Sequence, residues 1–239
     1  MDGDKPGSRR DLHVRRSTSP AAQRFEDPLT TSASNFVHVI DDDESVRESL
    51  ADLLRSVNYD VALYRSASEF LDSERCDAPA CLVLDVRLPG TSGLELQEYL
   101  NRLDISMPVI LMTGFGDIPM SVRGMKAGAI DFLIKPIRPQ DLLDAVAEAV
   151  RVDRNRRQEI KKIAELRERY ALLTYRERQV VSLVASGLLN KQVAYELSIS
   201  EVTVKMHRRS AMRKLGAKSV ASLARMTEIL ETRNEVDSL

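Results

Sequence analysis

Three kinds of polar residue stand at the ends of apolar runs. The stretch "NFVHVIDDDES" (35–45) closes on Asp41, Asp42 and Asp43, and "CLVLDVRLPGTSG" (81–93) places Asp85 directly after Leu82-Val83-Leu84. "PVILMTGFG" (108–116) ends its apolar part at Thr113, and "DFLIKP" (131–136) reaches Lys135 just before Pro136. Neighbouring carboxylates repel, and removing them from water is costly without compensation. A hard divalent cation such as Mg²⁺ supplies that compensation with few protein ligands, because it keeps several waters. Carboxylates are also nucleophiles toward phosphoryl groups, a reaction in which a metal and a lysine neutralise the transferring oxygens. A hydroxyl such as that of Thr113 could donate to one of those oxygens. Taken singly, each residue has an ordinary reading as a solvated loop, a strand end or a surface charge. Their common place at strand ends favours the joint reading.

That chemistry needs elements that bring the residues together. Short apolar runs at 36–40, 61–64, 81–86, 108–112 and 131–134 predict five buried strands. Helix-period segments separate them, with capping boxes expected at Ser45/Glu48, Ser66/Glu69 and Ser92/Glu95. Continuous apolar strands alternating with helices predict an α/β doubly wound fold with a parallel sheet covered on both faces. Ligands of such a sheet gather at the carboxyl ends of the strands, where the first and third are neighbours at the switch point. Asp41, Asp42 and Asp85 are therefore expected to converge.

Composition bounds the rest. The chain has 239 residues, 43% hydrophobic and 30% charged, enough for about two soluble domains. No apolar run approaches the roughly 20 residues of a membrane span, and the first thirty-odd residues have no secretory signal pattern. Cys76 and Cys81 lack metal-ligand spacing, which fits unpaired thiols in a reducing cytoplasm. Residues 1–35 are polar and aperiodic and read as a disordered tail whose pairs Arg9-Arg10 and Arg15-Arg16 are solvated. Residues 36–150 form the α/β domain, 151–170 a helical linker that could continue the last α/β helix, and 171–239 an all-helical domain. The linker's apolar stripe, Ile160, Ile163, Leu166 and Tyr170, is short for a dimeric coiled coil.

The net charge of −1 conceals an asymmetry: "ISEVTVKMHRRSAMRKLGAKS" (199–219) carries Lys205, Arg208, Arg209, Arg213, Lys214 and Lys218 against the single acid Glu201. At about 100° per residue, Val204, Ala211 and Leu215 fall on one stripe, with Lys205, Met206, Arg209 and Arg213 opposite. Charge alone describes a solvated amphipathic helix. The preceding segments change that reading. Thr174/Glu177 form a capping box, a short helix starts near Lys191, "LSIS" (197–200) makes a tight turn, Ser200 caps the basic helix, and a last helix runs from about Lys218 to Leu230. A short helix, a turn and a longer basic helix constitute a helix-turn-helix.

Residues 36–150, above all "LDVRLPGTSG" and "TGFGDIPMSVRGMKAGAIDFLIKP", resemble the receiver domain of two-component response regulators, in its FixJ branch. Residues 171–230, "LTYRERQVVSLVASGLLNKQVAYELSISEVTVKMHRRSAMRKLGAKS" included, resemble the LuxR-type DNA-binding domain, so the whole is similar to the FixJ/NarL regulators. The resemblance implies a flavodoxin-like (βα)5 receiver followed by a four-helix LuxR-type helix-turn-helix domain. It implies that Asp85 accepts a phosphoryl group from a sensor histidine kinase. Asp42, Asp85 and the backbone carbonyl of Arg87 would hold Mg²⁺, with Asp41 acting through water. Thr113 would contact the phosphoryl group, Lys135 would pair with it, and Lys135-Pro136 would be cis. Phe132 would report the state by ring packing alone, having no hydroxyl. Phe115 and Ile137 depart from the branch, where His and Phe are common.

In the output domain the resemblance implies base-edge contacts from Lys205, Met206 and Arg209, and phosphate contacts from Lys191, Thr203, His207 and Arg213. It further implies a homodimer when phosphorylated, through the last helix, on double-stranded promoter DNA. A cytoplasmic transcription activator working with RNA polymerase follows, neither an enzyme nor a membrane protein. Two alternatives stay open. One is an orphan regulator with the same fold and no control by phosphorylation. The other is a Mg²⁺-dependent aspartyl phosphotransferase, which would need a substrate insertion and a general acid where this chain has short loops and Arg87.

Overall fold

The computed structural model describes residues 35–74, 77–103, 105–114 and 118–236. Residues 1–34 of the expected tail (1–35), Cys76 and Phe115 lie outside these residues.

Five strands, β1 (Phe36–Ile40), β2 (Asp60–Tyr64), β3 (Ala80–Asp85), β4 (Val109–Thr113) and β5 (Asp131–Ile134), pair in parallel in the order β2-β1-β3-β4-β5. Alternate strand residues feed two cores, as the two-residue period of a strand requires. Val37, Val39, Cys81, Val83, Ile110 and Met112 pack with Leu50 and Leu54 of α1 (Glu44–Ser56) and with Leu142 and Val146 of α5 (Pro139–Ala171). Ile40, Leu82, Leu84 and Leu111 pack with Phe70 of α2 (Ala67–Leu71) and with Leu94 and Leu100 of α3 (Gly93–Arg102). Helix α4 (Ile118–Lys126) precedes β5. The doubly wound α/β expectation is met.

Helix starts follow cap chemistry, with one correction. Ser92 and Glu95 make the expected reciprocal box. Ser66 accepts from the Glu69 N–H, while the Glu69 carboxylate turns to the Arg65 N–H. For α1 the cap is Asp43, not Ser45: the Asp43 carboxylate accepts from the Ser45 N–H at 2.8 Å and the Val46 N–H at 3.4 Å. The helix therefore begins two residues earlier than a Ser45 cap would allow, immediately after the acidic run.

The helical linker expected at 151–170 does continue the last α/β helix: it is the second half of α5, which runs unbroken for 33 residues. Its first half is in the core of the α/β domain through Leu142, Ala145, Val146, Ala149 and Val150, and Leu166 belongs to the core of the helical domain. Ile160 is exposed, so only part of the predicted apolar stripe is used. Helices α6 (Tyr175–Ala185), α7 (Asn190–Glu196), α8 (Glu201–Leu215) and α9 (Val220–Val236) follow. Val180, Val181 and Val184 of α6, Val193 of α7, Val204, Ala211 and Leu215 of α8, and Leu223 and Leu230 of α9 close their core.

Candidate functional site

With Ile40 paired to Leu84, the next residues of the two chains, Asp41 and Asp85, emerge side by side at the carboxyl edge of the sheet. Asp41, Asp42 and Asp85 each bring a carboxylate oxygen to within 4.8 Å of the others. Asp41 is fully buried and Asp85 nearly so, while Asp42 is exposed. Lys135, delivered by the end of β5, donates to Asp41 Oδ2 at 2.5 Å and to Asp85 Oδ2 at 2.6 Å. The remaining oxygens are held from the backbone: Asp85 Oδ1 accepts from the Arg87 N–H at 2.9 Å, and Asp41 Oδ1 from the Asp43 N–H at 3.0 Å. Burial pushes the Asp41 carboxyl up, and the Asp85 charge adds to it, while the Lys135 ammonium and the Asp43 N–H offset only part. Burial also disfavours the Lys135 charge, yet the two carboxylates outweigh it and hold the ammonium above its ordinary value.

Thr113 is buried at the end of β4, and its carbonyl accepts from the Lys135 N–H at 2.7 Å. Lys135-Pro136 is cis, as the resemblance implies. Phe132 pairs with Leu111 and Ile134 with Thr113, so Phe132 is half-buried on the strand beside Thr113, two residues short of its partner. Ile137 is half-buried against the α1/α5 core.

One glycine was not singled out by sequence reasoning. A Cβ on Gly93 would collide with the Asp85 carbonyl, and the Gly93 N–H donates to the Val86 carbonyl at 3.0 Å. The N-terminus of α3 therefore closes tightly on Asp85, the last residue of β3, and on Val86 after it. Lys135 bonds to two of the three converging carboxylates, and an all-oxygen set of this kind suits a hard divalent cation.

In the helical domain, α7 and α8 are joined by a turn in which Ser198 takes a left-handed φ of 51°. Ser200 caps α8 by accepting from the Thr203 N–H at 3.1 Å, and Gly216 at φ 73° ends it. Lys191, Lys205, Met206, Arg209 and Arg213 are exposed; Thr203 and His207 are half-buried. Two cations counted in the charge of this segment, and not among its expected DNA contacts, bond within the domain. Arg208 donates to Asn190 Oδ1 at 3.0 Å, and Lys214 donates to Glu177 Oε2 at 2.7 Å and to the Leu172 carbonyl at 3.1 Å. Glu177 is 4% exposed. Its burial favours the neutral acid, but Lys214, Ser210 and the Thr174 N–H outweigh this and bring its pKa to about 2. Only its place in the Thr174 capping box marked Glu177 in the sequence.

Residues 37–147 match the family described as response regulator receiver domain, and residues 171–227 match the bacterial regulatory proteins of the luxR family. The chain is 52% identical over 199 residues to nodulation protein W of Bradyrhizobium diazoefficiens, covering 83% of this chain and 88% of that one. It is 47% identical over 191 residues to the transcriptional regulatory protein FixJ of Azorhizobium caulinodans, covering 80% and 90%. Among solved structures, the response regulator StyR superposes with a TM-score of 0.73 at 48% identity, covering 82% of this chain and 99% of that one. The acidic sheet edge and the helix-turn-helix thus fall in two matched families joined in the same order as in these relatives, and the chain belongs to the FixJ-like response regulators, transcription regulators with a receiver domain and a LuxR-type DNA-binding domain.

Proposed function

We propose that this regulator is switched by phosphorylation of Asp85 and that the switched form binds promoter DNA as a dimer. The observation that carries the reading is the convergence of Asp41, Asp42, Asp85 and Lys135 on one sheet edge of a chain that also holds a helix-turn-helix. In this reading residues 36–150 are the receiver, 151–170 the linker and 171–239 the output.

A carboxylate oxygen of Asp85 attacks the phosphorus of a phosphohistidine on a sensor kinase. The P–N bond breaks, and its electron pair returns to the imidazole. Asp42, Asp85 and the Arg87 carbonyl would hold Mg²⁺, with Asp41 assisting through water. When bound, Mg²⁺ supplies neutralisation of the phosphoryl oxygens. Lys135 exchanges part of its bonding to Asp85 for the new phosphoryl oxygens, and Thr113 donates to one of them. Phe132, lacking a hydroxyl, follows Thr113 by ring packing.

The phosphorylated receiver favours a homodimer, with α9 contributing the output contact, and two α8 helices then read two half-sites. Lys205, Met206 and Arg209 face base edges, and Lys191, Thr203, His207 and Arg213 lean on phosphates. Moving such an equilibrium from 1:99 to 99:1 takes about 5.5 kcal/mol of differential stabilisation. The protein works in the cytoplasm as an activator in contact with RNA polymerase; among the described residues no helix is long and apolar enough to cross a membrane.

The test is intact mass after incubation with a small phosphodonor and Mg²⁺, for the parent and for Asp85→Asn. One phosphoryl group on the parent and none on the variant is the expected result. No adduct, or equal adducts on both, would leave an orphan regulator in which this site does not accept phosphate.

A further inference from the structure

Helix α8 carries a reading surface larger than its charges. Its buried side is Val204, Ala211 and Leu215. On the far side, at helical spacings i, i+4, i+7 and i+11, stand Val202, Met206, Arg209 and Arg213, with Lys205 on the flank of this face. All five are exposed, and Val202 is 75% exposed, more than Met206 at 59%. A lone exposed valine is ordinary surface. This one is centred on the face of the helix that the output domain presents, one turn before Met206 and in the first turn of α8, where a groove-inserted helix meets base edges.

The first turn is also rigid. Ser200 Oγ and Thr203 Oγ1 are hydrogen-bonded at 2.8 Å, and the Thr203 N–H donates to Ser200 Oγ at 3.1 Å. Valine adds a side chain with one strongly preferred rotamer in a helix, so its methyls are presented in a fixed place. Valine can neither donate nor accept a hydrogen bond. The base-edge feature that rewards an apolar group in the major groove is the C5-methyl of thymine.

We propose that Val202 is a specificity-determining residue that contacts a thymine methyl, and that with Met206 it makes α8 a reader of two thymines in each half-site. The inference rests on the DNA-reading role of α8 proposed above. Val202 and Met206 are four residues apart, about 6 Å along the helix axis. With base pairs about 3.4 Å apart, the two methyls lie within two steps of each other.

The experiment uses the full chain, with and without a small phosphodonor and Mg²⁺, to enrich duplexes from a randomised pool of unmodified bases. Each thymine of the best enriched duplex is then replaced singly by deoxyuridine, which removes the C5-methyl and nothing else. For the parent, two replacements within two steps of each other weaken binding by about fourfold each, the value of one buried methyl-sized group. Val202→Ser becomes indifferent to one of these and stays sensitive to the other, and Val202→Thr, which keeps one methyl, is intermediate. Parent binding that ignores every deoxyuridine overturns both thymine contacts, and a Val202→Ser protein with the parent's full pattern overturns that of Val202; in either case the DNA-reading role of α8 stands. If no duplex is enriched in either condition, the DNA-reading role of α8 falls, and the present inference falls with it.

Discussion

Gly93 shows how much a single hydrogen can decide at this site. Its missing side chain lets α3 close on the Asp85 carbonyl, so Gly93→Ala must move either the helix or the residue proposed to receive the phosphoryl group. We expect Gly93→Ala to slow phosphorylation by a small phosphodonor at least tenfold, a barrier change of about 1.4 kcal/mol, while far-ultraviolet circular dichroism stays that of the parent. An unchanged rate would show that α3 yields without disturbing β3. Glu177 offers a test by pH. Its folded pKa of about 2 lies below the ordinary 4.5, so its ionised form stabilises the fold fully above the ordinary value. That stabilisation declines as the pH falls from 4.5 through about 2. The parent should therefore unfold at higher denaturant than Glu177→Gln near neutral pH, with the gap closing across that acidic range. A gap independent of pH would assign the difference to packing instead of charge.

At the scale of elements, the most informative residue is Asp153, in the middle of α5 and 1% exposed. It accepts from the Ala80 N–H at 3.0 Å, the first amide of β3, and from Arg156 and Arg157 at 2.6 and 2.7 Å. Arg157 reaches on to Asp77 at 2.7 Å. Burial raises the Asp153 pKa, but the Ala80 amide and the two guanidinium groups more than reverse it and hold the carboxyl below its ordinary value. Asp153→Ala leaves the Ala80 amide without its acceptor and should cost about 1–3 kcal/mol, the desolvation penalty of an unmet buried donor. Chemical denaturation followed by circular dichroism measures this, and a loss under 0.5 kcal/mol would mean that water replaces the carboxylate at roughly equal strength.

This bond also marks where the sequence stops being legible. Apolar runs with acids, Thr113 and Lys135 at their ends announced the sheet and its site because strand period and charge are local properties. Asp153 lay inside a charged stretch that read as linker, and its partner amide is 73 residues away. Arg208 and Lys214 entered the sequence reading only as charges of the basic segment for the same reason: only tertiary packing brings Asn190 and Glu177 to them. The α1 cap was misplaced because Asp43 and Ser45 are both good caps, and the choice depends on how the chain leaves β1.

For the whole molecule, the uninterrupted α5 turns chain length into an angle. Each residue inserted into a helix rotates everything beyond it by about 100°. The stretch between Asp153 and Ile163 holds half-buried Arg156 and Arg157 next to Asp153, and from Gln158 to Lys162 it is exposed. Insertions after Glu159 therefore act on rotation and reach more than on folding. Seven added residues return the output domain to within about 20° of its original facing, whereas five turn it by about 140°. A promoter reporter should retain most of its induction with the seven-residue insertion and lose it with the five-residue one; equal induction by both would mean that the two halves work without a shared phase. The linker in this protein is then a gear with a set number of teeth, and lineages that lengthen or shorten it should do so by whole double turns.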